Sequence, residues 1–216
     1  MHTDYTSGYS IWLGVGQTDK DLEKAIAAVS MEHSLYPVPE PHCTVAYGID
    51  HLTEKEMRCI FREKIAPVAK NWPALETEGS HVGISYDGVD GEEMDMAWME
   101  VTLKSSPEHE KLVDKIYACL YPADDNEDNS VDGDDVHRKT RPGPWKPHLS
   151  LAYDNPQGSA VDAILADKIF ARFPSLLGRK ERRVKNISLW RTEGRIWEWE
   201  CLERVELCQK NEETHS

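Results

Sequence analysis

The sequence contains no apolar run of the roughly 18 residues that a membrane helix needs. Its 216 residues have a mean hydropathy of −0.61. The first residues, Met1–Tyr5, show neither the basic start nor the apolar stretch of a signal peptide. We therefore expect a cytoplasmic protein that does not associate with membranes.

Cysteines are few: there are five, and no two have the C-x-x-C spacing that is typical of zinc ribbons. The odd count argues against an all-paired disulfide framework but is compatible with a single disulfide. We expect mostly free thiols in a reducing compartment. Glycine is also missing at one informative place. Gly14-Val15-Gly16 follows the first predicted strand, but no third glycine completes a dinucleotide-binding fingerprint.

Positive charge is scarce too, since 25 Lys and Arg stand against 39 Asp and Glu and give a formal net charge of −14. A long polyphosphate chain needs a basic face, so we expect no long nucleic acid as partner. Much of the excess lies between Asp124 and Asp135, which leaves the rest of the molecule only mildly acidic. A small anionic ligand remains compatible with this charge, because local donors can outweigh a screened distant field.

Length and hydrophobic patterning indicate one large globular domain of mixed strands and helices. Helices are expected from about Asp19 to His33 and after the capping residues Thr53, Ser106 and Ser159, with Pro67 ending or bending the second one. The strands are expected at 9–15, within 39–48, and at 75–86, 95–104, 147–153, 184–191 and 196–205. Residues 122–143 form an acidic insertion that cannot bury enough apolar area to order itself.

Two strands carry the same motif. Pro41-His-Cys-Thr-Val-Ala-Tyr47 and Pro147-His-Leu-Ser-Leu-Ala-Tyr153 both read Pro-His-x-(Thr/Ser)-aliphatic-Ala-Tyr, at a separation of 106 positions. One His-x-Thr alone means little, because His51-Leu-Thr53 shows that it arises by chance. Six matching positions with similar flanking elements instead predict an internal duplication, with approximate repeats 9–86 and 94–208 inside a single two-lobed domain spanning 1–216.

The motif suits acid–base chemistry. Residues i and i+2 of a strand point to the same face, so His42 projects with Thr44, and His148 with Ser150. If the two strands meet, one imidazole can act as base and the other as acid, while the hydroxyls donate to phosphate oxygens. Hydrolysis of a phosphodiester needs such a set of groups.

These two motifs, about a hundred residues apart, resemble those of the two-histidine (2H) phosphoesterase superfamily. In length and layout the chain is similar to the cyclic nucleotide phosphodiesterases of plants and fungi. The resemblance implies an α+β, two-lobed fold, each lobe an antiparallel sheet flanked by helices. It also implies an active site in the cleft between the lobes, with no metal and no cofactor.

The resemblance further implies hydrolysis of ADP-ribose 1″,2″-cyclic phosphate, a by-product of tRNA splicing, to ADP-ribose 1″-phosphate. Nucleoside 2′,3′-cyclic phosphates would be opened to 2′-phosphates. It implies His42, Thr44, His148 and Ser150 as catalytic residues, with Trp12 and Tyr153 beside base and phosphate. We assign His148 as the base and His42 as the acid, and the internal symmetry leaves the reverse assignment open.

Several interpretations of individual residues and of the insertion are still open. Trp98 and Tyr47, the symmetry mates of Trp12 and Tyr153, are expected to be core or rim aromatics. The insertion is read as a solvated loop, the alternative being a lid that brings Arg138, Lys139 or Arg141 to a diphosphate. The other seven histidines are expected at the surface, without metal.

The partner we expect is a small cyclic phosphate, bound by a monomer. One alternative function is RNA-end processing, as in 2′–5′ RNA ligase-like or 3′-end-trimming relatives, which the acidic charge disfavours. Another is a non-catalytic nucleotide-binding module, which two intact pairs of titratable and hydroxyl side chains disfavour.

Overall fold

The structure is a computed structural model that describes residues 8–15, 20–33, 35, 37–86, 94–122, 141, 143–154, 161–178, 181–194 and 196–207. Its strands are β1 (Tyr9–Val15), β2 (His42–Ile49), β3 (Leu75–Tyr86), β4 (Met94–Lys104), β5 (His148–Asp154), β6 (Glu181–Arg182), β7 (Val184–Arg191) and β8 (Glu200–Glu206). Its helices are α1 (Lys20–His33), α2 (Glu54–Ile60), α3 (Ala66–Ala69), α4 (Pro107–Leu120), α5 (Ala163–Arg172) and α6 (Ser175–Gly178).

The strands form two four-stranded antiparallel sheets, in the orders β2-β1-β7-β8 and β5-β4-β3-β6. Together with the helices they give the two-lobed α+β fold that the sequence predicts. In each sheet the motif strand, β2 or β5, is an edge strand. One continuous apolar core includes side chains from both sheets and from the helices.

The two lobes differ from the two sequence repeats. Strand β3 comes from the first repeat but pairs with β4 in the second sheet, and β7 and β8 come from the second repeat but join β1. Strands β3 and β4 are consecutive in the chain, and consecutive antiparallel strands commonly pair with each other. The boundaries 9–86 and 94–208 therefore do not separate the lobes.

Helix starts follow their capping residues with one exception. Thr53 and Ser106 both cap a helix, as predicted, and the structure shows a reciprocal capping box at each. The helix expected after Ser159 is instead capped by Asp162, whose carboxylate accepts a 2.7 Å hydrogen bond from the Leu165 amide. The prediction of Ser159 is wrong because an Asp side chain three residues before that amide reaches it directly.

Proline does not end the second helix. Residues Phe61–Ile65 form a π-helical turn that leads into α3, and Pro67 lies in the first turn of α3. A proline is tolerated there because the first amides of a helix have no intrahelical acceptor. The last predicted strand also changes, since Ile196–Glu198 form a 3₁₀ turn before β8 begins at Glu200.

One histidine expected at the surface is buried. His109, in the first turn of α4, is only 4% exposed. Its Nδ1 accepts a hydrogen bond from the Ser106 amide at 3.1 Å, and its Nε2–H donates to the Pro73 carbonyl at 3.2 Å. An imidazole with both nitrogens hydrogen-bonded in this way can be buried at little cost.

In the described part of the chain, no helix has the length and apolar character to span a membrane.

Candidate active site

The two motif strands lie next to each other. The edge strands β2 and β5 are in contact with each other. The indole Nε1–H of Trp145 donates to the Thr44 carbonyl at 2.9 Å. These contacts join segments about a hundred residues apart, and His42, Thr44 and His148 line one cavity of about 630 Å³ between the sheets.

Both motif strands contain the same irregularity in their pairing. Thr44 faces Trp12 and Ser150 faces Glu100, and in each strand the pairing skips one residue immediately afterwards. A bulge therefore occurs at the same motif position in both lobes. It changes the alignment of the repeats, because the structural counterpart of Trp12 is Glu100. The prediction of Trp98 as that counterpart is wrong by two positions, a slip that keeps a side chain on the same face of the strand.

The imidazoles of the two motif histidines are held in the same tautomer. The Nδ1–H of His42 donates to the Glu40 carbonyl at 2.7 Å, and the Nδ1–H of His148 donates to the Lys146 carbonyl at 3.0 Å. A carbonyl oxygen can only accept, so Nδ1 carries the hydrogen in both rings. The Nε2 atom of each ring is therefore left for proton transfer, which is the arrangement that acid–base chemistry requires.

The surroundings of His42 disfavour its charged form. The ring is 2% exposed and stacks on the indole of Trp12, with centroids 3.5 Å apart and an interplanar angle of 6°. The pKa of His42 is lowered from 6.5 to about 3, chiefly by burial and less by the charge of His148, against the opposing effect of the hydrogen bond to Glu40. His42 is therefore a neutral imidazole at neutral pH.

The surroundings of His148 are different. Its side chain is 31% exposed, and its Nε2 lies 3.6 Å from Oε2 of Glu100, which is itself only 8% exposed. We call each motif histidine, together with the side chain that packs beside it, a half-site. The first half-site pairs His42 with an indole, and the second pairs His148 with a carboxylate. This asymmetry has no counterpart in the motif sequences, which match closely.

The two hydroxyls of the motif are placed unequally. Thr44 is half-buried and lies in the wall of the cavity. Ser150 is 2% exposed and its hydroxyl forms a 2.6 Å hydrogen bond with the hydroxyl of Tyr153, which does line the cavity. Burial raises the pKa of Tyr153 to about 12, so the phenol stays protonated. Thr44 can therefore contact a ligand directly, whereas Ser150 is separated from the cavity by Tyr153.

Sequence comparison places this geometry in a family. The profile of the family described as "Cyclic phosphodiesterase-like protein" matches residues 8–207. The chain belongs to the cyclic phosphodiesterase-like family. The predicted resemblance to two-histidine phosphoesterases is thereby confirmed, and the chain is a phosphodiesterase by family. A search of curated protein sequences finds no match.

Solved structures of Kluyveromyces marxianus Usb1 are similar to this cyclic phosphodiesterase-like chain. One shares 10% sequence identity at a TM-score of 0.45, with 94% of this chain and 99% of the other covered. The second, Usb1 with uridine monophosphate, shares 12% identity at a TM-score of 0.43, with coverage of 93% and 98%.

Trp12 is buried within an aromatic stack in this phosphodiesterase. Its indole is 2% exposed, with His42 stacked on it at 3.5 Å and Trp190 at 4.3 Å. These contacts enclose His42. Trp12 also lines the cavity, so its place beside a base stays a prediction. Among the other aromatics that line the cavity, Tyr47 is 62% exposed, and Trp98, Tyr117, Tyr153 and Trp199 are half-buried. Tyr47 and Trp98 thus lie at the rim, one of the two places expected for them.

The acidic insertion contributes two described residues to the cavity, Arg141 and Gly143. The guanidinium of Arg141 forms ion pairs with Glu110 and Asp114 of α4, so its charge is already matched. Arg138 and Lys139 lie outside the described residues, as does most of the proposed lid. The described contacts of Arg141 therefore support an anchor onto α4 rather than a cation offered to a diphosphate.

Sequence reasoning missed two residues of this site, Glu100 and Trp145. Glu100 carries no motif signal, because its importance comes from the strand register that sets it beside His148. Trp145 stands only two residues before the second motif, which could have drawn attention to it. Where side chains are described, no group of three or more His, Cys, Asp or Glu is arranged to hold a metal ion.

Proposed function

We propose that this chain hydrolyses small cyclic phosphodiesters. The substrates we infer are ADP-ribose 1″,2″-cyclic phosphate, opened to ADP-ribose 1″-phosphate, and nucleoside 2′,3′-cyclic phosphates, opened to 2′-phosphates. The observation that carries this proposal is the pair of imidazoles, His42 and His148, lining one cavity with their Nδ1 atoms fixed and their Nε2 atoms available.

The burial of His42 bears on which histidine acts as the base and which as the acid. A histidine that is neutral at neutral pH cannot serve as the resting acid, so we assign His42 as the base and His148 as the acid. This reverses our preference from the sequence, where symmetry left both options open. An approaching phosphate anion would raise the proton affinity of His42 and make it a better base.

The reaction follows from this assignment. Nε2 of His42 takes a proton from a water molecule, whose oxygen attacks phosphorus. The bond from phosphorus to one ribose oxygen breaks, and that oxygen takes the proton from Nε2 of His148. Exchange with solvent restores both rings. The Thr44 hydroxyl donates a hydrogen bond to one non-bridging phosphate oxygen. Tyr153, which is hydrogen-bonded to Ser150, lies near the second non-bridging oxygen.

Size and charge favour a small substrate. A cavity of about 630 Å³ is within the range of sites that bind nucleotide-sized ligands. A formal net charge of −14 opposes the binding of long nucleic acid. Since both histidines come from one chain, we propose a monomer as the active unit. The four described cysteines, Cys43, Cys59, Cys119 and Cys201, are unpaired, which supports the cytoplasm as its location.

The direct test is turnover of a panel of cyclic phosphates in excess EDTA, with identification of the product isomer. We expect His42→Ala and His148→Ala each to lower kcat by at least about 10²-fold. The matched control is His51→Ala, because His51 is exposed and bonds the Leu120 carbonyl, away from the cavity. Near-normal turnover by either motif variant would remove the acid–base scheme.

Two further outcomes would each redirect the proposal. Preference for an oligonucleotide end over a mononucleotide would indicate RNA-end processing. Tight nucleotide binding without any product, unchanged in His42→Ala, would indicate a binding module. Loss of turnover in EDTA would contradict the metal-independent reaction.

A further inference from the structure

Glu100 occupies a distinctive place in the second lobe. It faces Ser150 across the pairing of β4 and β5, just as Trp12 faces Thr44 across the pairing of β1 and β2. The first half-site thus places an apolar ring against its histidine, and the second places an acidic group there. The corresponding side chains differ in the one property, charge, that most affects the protonation of an imidazole.

The carboxylate of Glu100 is short of partners. It is 8% exposed, and in the described part of the chain the only basic side-chain group within 4.0 Å of it is Nε2 of His148, at 3.6 Å. A buried carboxylate without a compensating charge is costly. An imidazolium at His148 is the compensation that this geometry offers.

The separation suits a proton that must later be given away. At 3.6 Å the two atoms attract electrostatically, but they are too far apart for a hydrogen bond. The Nε2–H of His148 is therefore stabilised without being held by a strong acceptor. A ligand oxygen in the cavity can approach the same hydrogen.

The other titratable groups around this pair do not carry a competing negative charge. On β2, His42 is neutral at neutral pH, and burial raises the pKa of Cys43 to about 12. On β5, Tyr153 also has its pKa raised to about 12 by burial. Two of the remaining titratable side chains that line the cavity in the described residues are basic: Arg141, which is paired with α4, and Lys146. The others are His81, Tyr47 and Tyr117. Glu100 is the one carboxylate among the described lining residues.

We infer that Glu100 is a positioning residue that holds the proton on His148 and thereby makes the second half-site the acid of the reaction. This inference rests on the proposed function for its catalytic meaning, although its electrostatic part can be measured without turnover. The near-identical motifs would then differ in role because of the residue across the strand, not because of the motif itself.

The test is the isosteric variant Glu100→Gln, which removes the charge and keeps the shape. In the substrate-free protein, we expect the NMR titration midpoint of the His148 ring to fall by about one pH unit. With a cyclic nucleotide, we expect the alkaline limb of the pH profile of kcat/KM to move down by the same amount. At a pH above that limb, we expect kcat/KM of Glu100→Gln to be about tenfold lower than that of the wild type.

The matched control is Glu203→Gln. The Glu203 side chain is 11% exposed, against 10% for Glu100, but it pairs with Arg58 and Arg62 and does not line the cavity. We expect no movement of the His148 midpoint in this variant. Glu100→Asp, which keeps the charge, should retain most of the wild-type midpoint. If Glu100→Gln does not fold, Glu100→Met, which also removes the charge at similar side-chain length, is the test, with the same expected fall.

The outcomes separate the two proposals. A His148 midpoint that stays in place in Glu100→Gln, or moves equally in Glu203→Gln, would overturn the role of Glu100 whatever the enzyme's substrate. A midpoint that moves as expected in a protein without turnover would support the electrostatic pair and contradict the proposed function alone.

Discussion

The rings of Trp12 and His42 lie parallel, with centroids 3.5 Å apart and planes inclined by 6°. With Trp190 on the indole as well, the imidazole is enclosed in an apolar stack and only 2% exposed. Enclosure removes the water that would stabilise an imidazolium, and this is why the pKa of His42 falls to about 3. The stack therefore keeps one of the two histidines free of a proton.

Removing that stack should change the pH dependence of catalysis. In Trp12→Ala, water reaches His42 and its pKa rises toward the ordinary 6.5. Because His42 must be neutral to act as base, the acidic limb of the kcat/KM profile should move to higher pH. The control is Trp197→Ala, since Trp197 is 48% exposed and outside the cavity lining. An acidic limb that stays in place would show that the stack does not set the protonation of His42.

The same burial should make folding sensitive to acid. The unfolded chain takes up a proton at His42 near pH 6.5, whereas the folded chain does so only near pH 3. The unfolded state binds more protons between these values, so stability is complete above pH 6.5 and is lost as the pH falls toward 3. The loss amounts to at most about 1.4 kcal/mol per pH unit.

Denaturant unfolding at a series of pH values checks this prediction. His42→Asn keeps a donor for the Glu40 carbonyl but has no titration, so its free energy of unfolding should fall less steeply with acid than that of the wild type. His81→Asn, at an exposed histidine, should leave the slope unchanged. Equal slopes for all three proteins would mean that His42 titrates normally when folded.

The two motif hydroxyls should respond differently to removal. Thr44→Val, which takes away a direct donor in the cavity wall, should lower kcat about tenfold, less than either histidine variant, and Thr44→Ser should restore it. Ser150→Ala and Tyr153→Phe each break the same 2.6 Å hydrogen bond. The activation free energy added by the double variant should therefore be much smaller than the sum of the two single effects. Measuring kcat for the wild type, both single variants and the double variant checks this. Additive effects would mean that the two hydroxyls act independently.

Trp145 should matter for holding the lobes together at the site. Trp145→Phe removes the Nε1–H that donates to the Thr44 carbonyl at 2.9 Å, and we expect a loss of about 1 kcal/mol in the free energy of unfolding together with a lower kcat. Trp72→Phe is the matched control. Trp72 is also 8% exposed and packs against Trp145, but its buried Nε1–H has no hydrogen-bond partner within the described residues. Equal losses in both variants would indicate that only the indole volume matters.

Local sequence signals predicted most elements well. The helix caps at Thr53 and Ser106 and the extents of β1, β3 and β7 agree with the structure, since caps and period-two patterning depend on neighbours along the chain. Errors arose where a nearby competitor decided the outcome. Asp162 caps the helix for which the sequence suggested Ser159, and a π-helical turn lets the chain continue through Pro67.

Burial and register were harder to predict. His109 is polar by type, yet its two ring nitrogens find the Ser106 amide and the Pro73 carbonyl, and Pro73 is far from it in the chain. The correspondence of Trp12 with Glu100 depends on a bulge in each motif strand. A bulge shifts the partner strand by whole residues without changing the motif itself, so the aligned repeats gave the wrong partner.

By itself, the sequence determined which groups can do the chemistry: two His-x-Thr/Ser strands repeat a pattern whose alternation places imidazole and hydroxyl on one face. The tertiary structure alone decided that the two imidazoles are unequal. It buried His42 against Trp12 and placed Glu100 beside His148, through contacts between strands that lie far apart in the chain. The protonation of a side chain depends on the water and charges around it, and these are set by packing rather than by the residue's neighbours in sequence.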